Sequence, residues 1–82
     1  MKEVIIREDY IKLGQLLKFI SIIGSGSDAK VFLSENKVLV NGVREERRGR
    51  KVYKGDVVNV ENNEFLVKWE AFYVLSKGNN AK

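Results

Sequence analysis

Two rhythms of apolar and polar residues divide this chain. The first residues alternate: "KEVIIRE", residues 2 to 8, sets three β-branched side chains between charges and predicts a short strand. The spacing then lengthens. In "LGQLLKFISII", residues 13 to 23, Leu13, Leu16, Leu17 and Ile20 recur at the three- and four-residue intervals of an amphipathic helix. Gly14 weakens its first turn slightly. "GSGSD" breaks the pattern, and Ser25 followed three positions later by Asp28 has the form of a capping box. A second helix follows through "SDAKVFLSEN", with Ala29, Phe32 and Leu33 on its buried face and Asn36 as a left-handed C-terminal residue.

From Lys37 the rhythm returns to alternation. "KVLV" predicts a strand, and Asn41-Gly42 a two-residue hairpin turn flanked by Val40 and Val43. "KVY" is a further strand, "KGD" a tight turn and "VVNVE" a strand. "NN" at 62 and 63 is a turn, and "EFLVKWEAFYVL" supplies one or two more strands. Phe65, Leu66, Val67 and Trp69 extend the sheet. Trp69 reads as core or sheet surface, with base stacking by Trp69 and Tyr73 as the alternative. The expected fold is α+β: two short packed helices followed by a small, mostly antiparallel β-sheet, with extra strands at the termini. It forms a single domain over residues 1–75, ahead of a polar tail at 76–82.

Composition narrows what such a domain can do. With 82 residues it buries a small core and has no room for a deep cleft. It contains no cysteine and no histidine, so disulfides, thiolate metal sites and the commonest general base are absent. There is no Gly-x-Ser-x-Gly elbow, and the "GSGS" run lacks the Lys-Ser/Thr ending of a nucleotide loop. Glu45 and Glu46 are adjacent acids that read as a solvated turn. No enzyme activity, cofactor, metal or small-molecule substrate is expected. The longest apolar stretch is broken by Lys18 and Ser21 and cannot span a bilayer, and the N-terminus has too short an apolar run for a signal peptide. A cytoplasmic location without membrane contact is expected.

Charge adds a direction. Lys plus Arg is 15 against 11 Asp plus Glu, a net charge of +4. That excess favours a polyanionic partner. Lys12, Lys18, Lys30, Lys37 and Arg44 lead to the dense "RRGRK" run of Arg47, Arg48, Arg50 and Lys51. Arginine suits bidentate phosphate contact, and Gly49 lets backbone approach a ligand closely.

The order of a helix, an "SGSDAK" turn into a second helix, "KVLVNG", a basic segment and "YKGDVV" resembles the S-four RNA-binding domain over residues 10–61. "LGQLLKF", "SGSDAKVFLSEN", "VLVNG", "RRGRK" and "GDVV" together resemble its small stand-alone bacterial members, the YaaA-type proteins. The resemblance implies one RNA-binding face formed by the helices and the hairpin. Its implied residues are Lys12, Ser25, Lys30, Asn41, Gly42, Arg47, Arg48, Arg50 and Lys51, and the expected RNA-binding site adds Lys18, Gly26, Ser27, Lys37 and Arg44. Many larger members carry arginine where this chain has Gly26, so one helix-two contact is missing here. The implied partner is structured RNA, ribosomal RNA or a ribosome-assembly particle. A DNA-binding module and a β-grasp-like protein adaptor are the alternatives from the residues themselves.

Overall fold

A computed structural model describes residues 1–24 and 28–69. The expected tail at 76–82, Tyr73, and the helix-two start at 25–27 lie outside the described residues. The element order is β1 (Lys2–Ile6), β2 (Tyr10–Lys12), α1 (Leu13–Phe19), α2 (Asp28–Glu35), β3 (Val38–Val40), β4 (Val43–Arg44), β5 (Lys51–Tyr53), β6 (Val57–Val60) and β7 (Asn63–Trp69).

The expected architecture, a helix pair followed by a mostly antiparallel sheet, is corrected. Two strands precede the helices, and strand exceeds helix among the described residues, 41% against 23%. The main sheet is five-stranded and mixed, in the order β1-β7-β6-β3-β4, and a separate two-stranded ribbon joins β2 to β5. β1 runs parallel to β7, with Val4 opposite Val67 and Ile6 opposite Trp69. The physical reason for the difference is separation along the chain. Alternation identifies Lys2–Ile6 as a strand but names no partner, and its partner lies at the far end of the described chain. Tyr10–Lys12 is too short for any periodicity to register.

One face of the main sheet forms the core. Val4, Val38, Val40, Val58, Val60, Phe65 and Val67 are buried. Register aligns them, with Val40 opposite Val58, Val58 opposite Phe65 and Val38 opposite Val60. Leu13, Leu16, Leu17, Ala29 and Leu33 from the two helices join that core, as does Val52 from the ribbon. Each such aliphatic side chain contributes about 1.5–3 kcal/mol on burial.

Local details differ from expectation in instructive ways. Helix α1 stops at Phe19, because Ser21 takes a positive φ of 64°. Ile20, Ile22 and Ile23 pack on the core from beyond it. Asn36 is not left-handed, and its side-chain amide donates to the Phe32 carbonyl at 3.1 Å. The Asn41-Gly42 hairpin is as expected: both φ values are positive, 53° and 83°, and Val40 faces Val43. The turn expected at 62 and 63 falls one residue earlier, at Glu61 and Asn62, with φ of 51° and 69°.

Candidate nucleic-acid interface

The basic run is shaped by an acid. β4 ends at Arg44, and the Glu45 backbone N–H donates to the Val38 carbonyl at 2.9 Å, which keeps the chain against β3. That contact turns the Glu45 side chain inward, where the residue is 6% exposed. Its Oε2 accepts the backbone N–H of Glu46 at 3.1 Å and of Arg47 at 3.0 Å. Arg47 grips the carboxylate with both Nε, at 3.0 Å to Oε2, and Nη2, at 3.1 Å to Oε1. Arg50 Nη1 reaches Oε1 at 2.9 Å. The Arg47 guanidinium, above all, holds the Glu45 carboxyl down at about 2, with a backbone hydrogen bond and Arg50 assisting and burial opposing. The expectation of a solvated acidic turn is therefore wrong for Glu45. Spacing along the chain does not separate a buried hub acid from a surface one, even though its partners here all lie within five residues.

The same loop is tied to α1. Leu13 N–H donates to the Arg50 carbonyl at 2.8 Å and Gly14 N–H to the Arg48 carbonyl at 2.9 Å. These bonds take up backbone donors that a helix start leaves unsatisfied. Gly14 makes the approach feasible. A Cβ there would lie 3.2 Å from the Arg48 Cβ and 3.3 Å from the Ala29 Cβ. Helix α1, helix α2 and the basic loop thus meet at one glycine, which sequence reading took only as a weak point in a helix.

Several candidate residues adjoin this junction along the chain. Arg47, Arg48 and Arg50 ring the loop, and Lys30 follows Ala29 on α2. Lys12 and Lys51 are direct cross-strand partners in the β2–β5 ribbon. Like charges opposite one another on paired strands are destabilising. A bound anion between them would relieve that cost. Arg47 keeps 78% of its side-chain surface exposed despite its ion pair, so it can meet a ligand while held.

Other candidates lie elsewhere. Lys18 sits in the last turn of α1, beside Phe19 and Gln15 at a depression shared with β1 and β2. Lys37 lies with Asn36, Glu61 and Asn62 near the β6–β7 turn. Arg44 is exposed on β4, opposite Leu39. Asn41 is engaged within the protein: its Nδ2 donates to Asp56 Oδ1 at 3.0 Å, and its Oδ1 accepts Val57 N–H at 2.9 Å. It fastens the hairpin tip to the turn after β5. Ser25, Gly26 and Ser27 lie outside the described residues.

The arrangement is that of a small basic binding domain, with no group of three or more potential metal-ligating side chains among the described residues. None of its described helices is long and apolar enough to cross a membrane. The family profile described as S4 domain matches residues 4–68, and the chain belongs to that family. A curated relative, "Probable ribosome maturation protein RlbA" of Bacillus subtilis (strain 168), is 57% identical over 53 residues. The match covers 65% of this chain and 75% of the relative.

Proposed function

We propose that this chain is a non-catalytic RNA-binding protein that grips structured RNA, ribosomal RNA or a ribosome-assembly intermediate, by its phosphate backbone. Membership of the S4 domain family and the name of the Bacillus relative support an RNA-binding, ribosome-related role. The observation that carries the site is the Glu45 clamp. It holds Arg47 and Arg50 in one geometry against the first turn of α1, beside Lys12, Lys30, Arg48 and Lys51. Cations fixed before binding lose less conformational freedom when they meet phosphates.

Recognition is then by shape and phosphate position more than by base identity. Helix α2, "DAKVFLSE", offers few long polar side chains to read base edges in a DNA groove. The test compares affinity for a folded RNA hairpin and a DNA duplex of equal length at the same salt concentration. Tighter binding to the RNA is expected. Equal or tighter binding to the DNA would overturn the assignment. Binding to neither, with salt-insensitive capture of a protein, would favour the adaptor alternative.

A further inference from the structure

The β2–β5 ribbon has two unlike faces. Ile11 and Val52 pair across it and turn toward the core, where Val52 is fully buried. The opposite face carries Tyr10 paired with Tyr53 and Lys12 paired with Lys51. The tyrosine rings lie 5.9 Å apart, inclined at 52°. Lys51 Nζ sits 4.9 Å from the centre of the Tyr10 ring. In the turn directly after β5, Lys54 Nζ lies 5.3 Å from the centre of the Trp69 ring. Tyr53 is 48% exposed and Trp69 36% exposed. The Trp69 indole N–H donates to the Arg7 carbonyl at 3.3 Å, which fixes the ring by its edge and leaves a face available. Between them is a shallow depression of about 470 Å³ lined, among the described residues, by Asp9, Tyr53, Lys54 and Trp69.

We infer that this face is a stacking platform for unpaired RNA bases, contiguous with the phosphate-gripping loop and extending it. The inference rests on the RNA-binding reading above and adds the class of nucleotide that its neighbouring surface takes. Two exposed aromatic rings, Tyr53 on the ribbon and Trp69 on the neighbouring β7, with the half-buried Tyr10 beside them and lysines interleaved, match the chemistry of single-strand recognition. Bases stack on the rings and lysines meet the intervening phosphates. Lys51 and Lys54 now lie over the Tyr10 and Trp69 rings. On binding, each exchanges a ring for a phosphate. Asp9 disfavours a phosphate in the depression itself, so the depression takes a base. Continuity supplies the rest: the basic loop runs directly into Lys51, and Lys12 runs directly into α1. A strand leaving a structured RNA gripped at the loop would therefore cross the ribbon.

A cross-strand tyrosine pair also stabilises a two-stranded ribbon, so the test needs a readout that such a role would not move. Two RNA probes serve: a blunt hairpin, and the same hairpin with a single-stranded extension of about six adenylates at either end. The extension should tighten binding by about tenfold or more. It should also quench the emission of Trp69, the chain's only tryptophan. Tyr53→Leu, checked for native circular dichroism, should remove most of that increment while leaving the blunt hairpin's affinity within about twofold. If the blunt hairpin binds but the extension neither tightens binding nor quenches Trp69, the platform is refuted and the RNA-binding reading survives. Equal weakening of both probes by Tyr53→Leu would also refute it. Failure of both RNAs to bind wild-type protein would sink the RNA-binding reading, and the platform with it. The quenching result stands on the wild-type chain and does not depend on the variant folding.

Discussion

Glu45 gathers five hydrogen bonds within a run of bases, and its charge is what orders them. Its carboxyl titrates near 2 in the folded chain against an ordinary value of 4.5. A depressed folded value contributes stability that is fully present above about pH 4.5 and is lost as pH falls toward 2. Thermal melts should therefore show Tm falling through that window. Glu45→Gln keeps the shape and removes the charge. It should cost about 1.5–3 kcal/mol at neutral pH, the scale of hydrogen bonds to a charged group. It should also flatten the acid-side fall in Tm. An unchanged acid profile in Glu45→Gln would show that other carboxylates carry the effect. Replacing Arg47, Arg48 and Arg50 together by alanine is not neutral to the fold in this geometry. Removing Arg47 and Arg50 together strands a buried carboxylate, so the triple variant should melt at a lower temperature than wild type. The arginines were legible as a basic cluster. Their acid partner was not, because neighbouring charges in a chain look the same whether solvated or enclosed.

At the scale of elements, both tight hairpins depend on positive φ. Asn41-Gly42 was readable because both central positions of such a turn need positive φ, which Asn and Gly accept. Gly42 sits at φ 83° with open space around it, so Gly42→Val should destabilise through backbone strain by more than about 1 kcal/mol, measured by denaturant unfolding. The turn at Glu61 and Asn62 was misplaced by one residue because neither is glycine and the Asn-Asn pair drew attention one step too far. Asn62 has φ 69°, so Asn62→Gly should stabilise by up to about 1 kcal/mol. A loss of stability in that variant would show that the Asn62 side chain contributes more than its strain costs. Gly14 belongs here too. Added bulk at Gly14→Val would push apart α1, α2 and the loop, and should cost about 1–3 kcal/mol by overpacking.

For the molecule as a whole, the helices, the hairpin and most strand positions followed from local periodicity, and the sheet order did not. The parallel β1–β7 pair and the β2–β5 ribbon are contacts between segments far apart in sequence, and a local pattern carries no record of its distant partner. That matters for function, since the ribbon is what sets Lys12 opposite Lys51 and joins both to the arginine loop. Lys68 supplies the contrast. It lies on β7, ion-paired with Glu3 at 3.2 Å. The central claim is that phosphates are gripped where the basic loop meets the two helices. Its most direct test is the salt dependence of affinity for a structured RNA. With about five phosphate contacts, log affinity should fall against log salt with a slope of roughly −3.5 to −4.5. Lys30→Ala should reduce that slope by about one unit, and Lys68→Ala should leave it unchanged. A loss from Lys68→Ala equal to that from Lys30→Ala would place the binding face on the sheet and contradict the account.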